Sequence, residues 1–285
     1  MSFEGALTAL SQPATTLIEK ISSCVGILYE PTRIRRNAEA QADADKILAI
    51  SQLEIADIQK RALTRFVKEE TIKQRNIESV IGKAIPAIEQ DAKTENVDND
   101  WLVKYFEKVR YVTDDDMQNL WAKILAGECN NKGSFSKMTL NVVDELDKDD
   151  AILFSSLCST VFSINNEYRP LIYEPNDITY TGIGINYGKL LHLESLGLIS
   201  FNSITGYTLQ GFKKNVIIDY FGTKVLLEFA NESNNDFSLG VALFTQAGKQ
   251  LFPICGSVKN DLILEKTLEY LKIKENMQYF ILNKK

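Results

Sequence analysis

Between Arg33 and Ile88 the chain meets no glycine before Gly82 and no proline before Pro86. Ala, Glu, Lys, Gln, Ile and Leu fill the stretch, and such residues lose little freedom in a helix and offer few competing turns. The pattern predicts one very long helix or two collinear ones. Fifty residues would reach roughly 75 Å. Leu48, Ile55, Ile58, Ala62, Phe66, Ile77, Ile81, Ala84 and Ile88 follow helical spacing without a clean heptad. A helical hairpin, or a helix laid on a partner, fits this better than a continuous two-stranded coiled coil. Asp57 with Arg61, Arg65 with Glu69 and Glu69 with Lys73 stand four apart with opposite charge. Each pair adds about 0.2–0.5 kcal/mol. A helix this long cannot bury its apolar stripe on one small domain, so self-association is expected.

The segment before it, residues 3–28, reads as helix broken or restarted at Pro13, with only Glu4, Glu19 and Lys20 as charges. So little charge requires cover from the body of the protein, from another subunit or from a membrane surface. A single lysine is a poor polar face for a membrane helix. Tyr29-Glu30-Pro31-Thr32 reads as a stop followed by a cap. Residues 91–100 read as a polar, acidic linker, and Trp101 then opens a compact helical set. Asp114–Asp116, with Thr113, are suited to cap a helix that contains Leu120, Trp121, Ile124 and Leu125 and stops at Gly127. Ser136 and Asp149 are the expected caps of the two helices that follow, through Leu146 and Phe162.

Past Arg169 the texture turns to β-formers and turns. Asn186 is placed to cap a helix through Leu196 that ends at Gly197. Leu198–Phe201 and Tyr207–Leu209 read as a hairpin around Thr205-Gly206, which with the preceding helix outlines a winged helix. Strands are expected at Asn215–Tyr220, Lys224–Phe229, Leu239–Phe244 and Gln278–Leu282, and a helix over Val258–Ile273. The fold class is therefore α+β, predominantly α-helical. It has an N-terminal helical assembly region (1–90), a compact helical domain (91–165) and a winged-helix-like α+β domain (166–285).

Formal charge is −6 over 285 residues, which does not suit a polybasic nucleic-acid binder. The acidity concentrates in residues 91–150, which repel phosphate. Cys24, Cys129, Cys158 and Cys255 are scattered, with no C-x-x-C pair, and His192 is the only histidine. A Cys/His zinc site is not expected, and the cysteines read as buried, reduced thiols. His192 lies in the apolar run Leu190–Leu193 and reads as structural rather than catalytic. The glycines around Gly182–Gly188 lack the spacing of a phosphate-binding fingerprint. The Asp114–Asp116 run diverges in direction at a helix start, which argues against Mg²⁺ chemistry. No catalytic, cofactor or metal site is predicted. No apolar run spans a bilayer and no signal-peptide pattern opens the chain, so the expected location is cytoplasmic.

Three segments stand out: Leu28-Tyr29-Glu30-Pro31-Thr32-Arg33, Leu120-Trp121-Ala122-Lys123-Ile124-Leu125-Ala126-Gly127-Glu128 with Gly133-Ser134-Phe135-Ser136, and Gly197-Leu198-Ile199 with Leu243–Gly248. Together they resemble the bacterial DUF2806 family over most of the chain. The resemblance implies a setting in mobile or anti-phage defence neighbourhoods and supplies no catalytic residues. Arg33, Arg35 and Arg36 form a candidate phosphate or partner contact at the start of the long helix. Glu128 and Ser134 are candidate partner or ligand contacts beside their loop. Lys189 and His192 are the candidate nucleic-acid contacts of the helix capped by Asn186. The expected function is non-enzymatic: an oligomeric sensor, scaffold or regulatory protein, with homo-oligomerisation and a protein partner favoured. The alternatives are a DNA-binding regulator and a membrane-associated effector.

Overall fold

The computed structural model describes residues 10–27, 29, 45–51 and 56–283. The chain forms two compact units, Met1–Leu140 and Asn141–Lys285, where its composition suggested three regions.

In the first unit α1 spans Gln12–Val25, α2 Asp57–Ala84, α3 Asn99–Val109 and α4 Asp115–Asn130, and α5 (Lys137–Asp144) begins at its end. Ser11 caps α1 by accepting from the Ala14 amide, and Gly26 ends it in the left-handed region. Ala14, Leu17 and Ile21 of α1 are fully buried, against α3 and a 3₁₀ turn at Thr94–Asn96. Over these residues the chain itself supplies the cover that the missing charge required; residues 3–9 lie outside the described residues. The supposed acidic linker is part of this packing. Thr94 is buried and its hydroxyl donates to Pro13 O at 3.0 Å, and Val97 is buried beside it. Its charges turn outward while two side chains anchor it, a distinction that composition averages away.

The long helix does not run straight through its own start. Residues 45–51 are helical, and Ser51 O accepts from Lys60 Nζ at 2.9 Å. Nine residues of straight helix would separate those positions by about 13 Å, beyond the reach of a lysine. The segment 45–51 and α2 are therefore not one straight helix. From Asn76 onward α2 is anchored on α4: Val80, Ile81 and Ala84 are fully buried, Asn76 Nδ2 donates to Arg110 O, and Ser79 Oγ donates to Gln118 Oε1 at 2.6 Å.

An aromatic cluster with satisfied polar ends closes the unit. Trp101 and Tyr105 stack at 5.1 Å, and Tyr105 meets Trp121 edge-on at 5.4 Å. Trp101 Nε1 donates to Phe135 O and the Tyr105 hydroxyl to Trp121 O, both at 2.7 Å. Asp114 caps α4 as expected, its Oδ1 accepting from the Asp116 and Met117 amides. Gly127 does not end α4, which continues to Asn130. A Cβ at Gly127 would sit 2.7 Å from the Phe135 ring, so its smallness serves side-chain packing rather than a turn.

In the second unit α6 spans Lys148–Cys158, β1 Val161–Ile164, β2 Glu167–Pro170, α7 Ile178–Thr181, α8 Tyr187–Ser195, β3 Ile199–Phe201, β4 Tyr207–Phe212, β5 Asn215–Tyr220, β6 Thr223–Glu228, β7 Asn235–Gly240, β8 Ala242–Phe244, α9 Gln246–Leu251, α10 Asp261–Ile273 and β9 Gln278–Asn283. Asp147, rather than Asp149, caps α6, which stops at Cys158 before the chain turns into β1. Asn186 caps α8 as expected, accepting from the Lys189 amide at 3.0 Å. One antiparallel sheet has the order β2-β1-β5-β6-β9, and its buried face carries Val216, Ile218, Tyr220, Val225 and Leu227. β9 stands at the end of that order with Phe280, Ile281 and Leu282 exposed.

The expected β3–β4 hairpin does not form. β3 pairs with β8, with Ile199 opposite Phe244, while β4 pairs with β7. A distant pairing wins because α9 closes directly over β3's approach. Thr245 Oγ1 donates to Gly197 O at 2.6 Å, and a Cβ on Gly248 would lie 2.1 Å from Leu198 O. Gly248→Ala should therefore cost about 1–3 kcal/mol of stability, read as a lowered urea midpoint at unchanged slope.

A second clamp joins α7 to α10. Lys266 Nζ reaches Asp177 at 2.7 Å and Glu174 at 3.3 Å, while Tyr173 stacks on Tyr270 at 3.8 Å. The hydrogen bond from Lys266, followed by that from the Thr179 amide, holds the Asp177 carboxyl down to about 2. A folded value below the ordinary ~3.9 means that the contribution is present at neutral pH and fades as pH falls from about 4 towards 2. Asp177→Asn should lower the urea midpoint at neutral pH and match the wild type increasingly closely as the medium is acidified through that window.

Candidate functional site

The first half of α2 is an arm. Ile58 is 68% exposed, Phe66 59% and Ile72 50%, and Leu48 of the preceding helical segment is 59% exposed. Between that segment and α2 lies an apolar groove of about 430 Å³, floored by Ile47, Ile50 and Ile72. Lys60, Arg61, Arg65 and Lys68 stand along it. Arg61 pairs with Asp57, and Arg65 with Glu69 at 3.6 Å, as the four-residue spacing predicted. Lys73 pairs with Glu70 at 2.7 Å rather than with Glu69. From Asp57 to Arg75 the helix carries six basic and three acidic side chains, so the arm is cationic as well as apolar. Elsewhere in the same unit Asp91, Glu95, Asp98, Asp100, Glu107, Asp115 and Asp116 are all exposed. Residues 91–116 are thus richer in acid than in base, although Asp115 pairs with Lys83, and Asp98 and Asp100 stand near Lys137.

The residues singled out from the sequence fall in different places. Arg33, Arg35 and Arg36 lie outside the described residues. Glu128 and Ser134 share one loop, but Glu128 faces inward. Its Oε1 accepts from the Gly133 amide at 2.7 Å and its Oε2 from the Phe135 amide at 3.0 Å, while the Ser134 hydroxyl donates to Asn131 O. Burial raises the Glu128 carboxyl, and the two amides pull it back only in part. This carboxylate holds the loop that presents Phe135 to Trp101, a structural use that a motif read along the chain does not reveal.

On α8, His192 is half-exposed rather than enclosed by its leucines, and its Nε2 lies 2.6 Å from Asp150 Oδ1. Burial works against the Asp150 charge, but the His192 contact and the Asp147 amide hold its carboxyl below the usual range. Glu194 of the same helix accepts from the Phe201 amide at 2.7 Å. Lys189 and His192 therefore share a helix, with His192 tied to α6. The arm's groove leaves no signal along the chain, since no proline or glycine stands between residues 45 and 57 to separate the segment 45–51 from α2.

Among the described residues no group of three or more His, Cys, Asp or Glu side chains gathers as a metal site. No described helix is long and apolar enough to cross a membrane.

The model of the DUF2806 family, a protein family of unknown function, matches residues 60–266. The chain belongs to that family. The Trp121 and Gly133 motifs lie within the matched region, whereas Tyr29-Glu30-Pro31, α1 and β9 lie outside it. No curated protein and no solved structure matches the chain.

Removing the Glu128 carboxylate leaves two buried-side amides without an acceptor. Glu128→Ala should cost about 2–3 kcal/mol in denaturant unfolding, with Ser134→Ala close to neutral.

Proposed function

We propose that this chain is a non-enzymatic assembly protein whose α2 arm docks on the acidic surface of a second copy. The observation that carries this reading is the arm itself. Large apolar side chains at Ile58, Phe66 and Ile72 stand exposed among cations on a helix whose other half is firmly anchored. Apolar area left in water favours association by roughly 25 cal/mol per Å² covered. The opposite charges of arm and body give that association a direction. Such a contact joins two different patches, so it builds a ring or an open chain of molecules rather than a simple two-fold pair. A scaffolding or regulatory part in anti-phage defence is the setting that the family resemblance implies.

The winged-helix and DNA-binding reading has less to support it. His192 is committed to Asp150 and Glu194 adds negative charge to α8, which leaves Lys189 as a thin phosphate contact. Attachment to a membrane through α1 is opposed by the full burial of Leu17 and Ile21.

Light scattering on the purified full chain at micromolar concentration should give a mass above that of one 32.1 kDa molecule, falling as salt is raised. Phe66→Glu combined with Ile58→Glu should return the mass to a single chain while the urea midpoint changes little. A monodisperse monomer of the wild type at low salt would remove the proposal.

A further inference from the structure

The five-stranded sheet has a second face, opposite to that of Ile218 and Tyr220, and one row of side chains crosses it. Tyr168 of β2 stands opposite Ser163 of β1, and Ser163 stands opposite Asp219 of β5. Directly opposed residues share a face, while neighbours along a strand alternate. This row lines a cavity of about 480 Å³ together with Phe252, Ser257 and the Phe221–Gly222 turn. A volume of that order suits a small organic ligand.

Three aromatic side chains line the cavity, and other rings hold them in place. Tyr168 meets Phe252 at 4.8 Å, and Phe221 meets Tyr220 edge-on at 5.0 Å. Phe221 keeps its position against strain. It forms with Gly222 the two-residue turn from β5 to β6, with φ of +48° and +85°. Asn or Asp is the usual residue before the glycine of such a turn, and a bulky side chain at positive φ is strained. Strain of this kind gathers at ligand sites.

Among the described residues that line the cavity, Asp219 alone carries a formal charge. Its Oδ1 accepts from the Gly222 amide at 2.8 Å, and its Oδ2 takes no hydrogen bond from a described residue. Lys224 comes next in the row, opposite Asp219 on β6, but it is exposed and makes no ion pair with Asp219. Farther along the loop Lys259 and Asp261 pair with each other at 3.0 Å. The Ser163 hydroxyl likewise has no partner among the described residues.

We propose that this cavity binds a small organic ammonium ion. The Asp219 carboxylate supplies the opposite charge, and the aromatic walls add cation–π attraction. The Ser163 hydroxyl accepts from an ammonium N–H or a hydroxyl on the same ligand. An anion would be repelled by Asp219, and a neutral apolar ligand would cover the carboxylate without pairing it. The site lies wholly within the second unit and does not depend on the α2 arm.

Isothermal titration calorimetry on the full chain at low salt tests the assignment with three ammonium probes and their neutral counterparts. The pairs are choline with its carbon isostere dimethylbutanol, butylamine with butanol, and a short lysine peptide with the same peptide acetylated at that lysine. At least one ammonium probe should bind with a Kd of about 1 mM or tighter, and about tenfold or more ahead of its counterpart. The tightest of the three names the source, a free quaternary amine, a free primary amine or a protein side chain. Acetate should give no heat of binding. Asp219→Asn keeps the Oδ1 acceptor for Gly222 and should weaken that probe about tenfold or more. Phe221→Asn puts the residue that the turn prefers in place of the ring, so it should fold and weaken the probe about threefold or more. Ammonium probes that bind no tighter than their neutral counterparts, or an Asp219→Asn chain that binds the tightest probe like the wild type, would overturn the proposal. Should a variant fail to fold, the three wild-type comparisons decide the matter alone.

Discussion

Two backbone carbonyls in the second unit are approached more closely than any side chain would permit. A Cβ on Gly240 would lie 2.0 Å from Ile172 O, and one on Gly248 would lie 2.1 Å from Leu198 O. Gly240 also takes φ +77°, a conformation that L side chains rarely adopt. Around these contacts the chain makes its long-range closures. The Val241 amide donates to Ile172 O at 2.8 Å and the Thr245 amide to Leu198 O at 3.1 Å. The short segment Asn235–Phe244 can then serve two small sheets in succession, β7 against β4 and β8 against β3. The cluster of Phe212, Phe229 and Phe237 fills the space beneath β4 and β7.

The first unit is held by a different means. Its centre is aromatic, and two of its large rings keep a polar end that finds a carbonyl: Trp101 with Phe135, and Tyr105 with Trp121. An indole or phenol buried without such a partner would give back part of what its packing gains. Because those acceptors sit on a loop and on a neighbouring helix, the hydrogen bonds also fix register, and Glu128 completes the loop from within. Around this centre α2 is anchored through its second half only. The asymmetry of that single helix separates a buried stem from an arm with apolar residues in water.

Much of this was readable along the chain where structure is local. Asp114 and Asn186 announced their helices by chemistry acting over two or three residues, and so did the β5 segment by its alternation of buried and exposed positions. Pairings across long separations were not readable. The β3–β8 ladder depends on Gly248, which looks like any residue in a short helix until its neighbour is known. The acidic 91–100 stretch hid Thr94 and Val97 inside a polar average. His192 sat in an apolar run, yet a helix turns its side chains in all directions, and this one faces Asp150. The candidate site was least legible of all. The arm's groove needs the segment 45–51 to lie along α2 as far as Ile72, and no motif announces that.

Tyr220 shows how the parts of the second unit are mechanically joined. Its hydroxyl donates to Ser159 O at 2.7 Å and lies 3.1 Å from both the amide and the carbonyl of Asn260, the residue that caps α10. Its ring rests on Phe162 of β1 at 4.5 Å. Ser159 directly follows Cys158. One phenol therefore ties the end of α6 to the start of α10. Tyr220 is thus a single joint between the end of one helix, the first strand and the start of another, and the loss of its hydroxyl would loosen all three together.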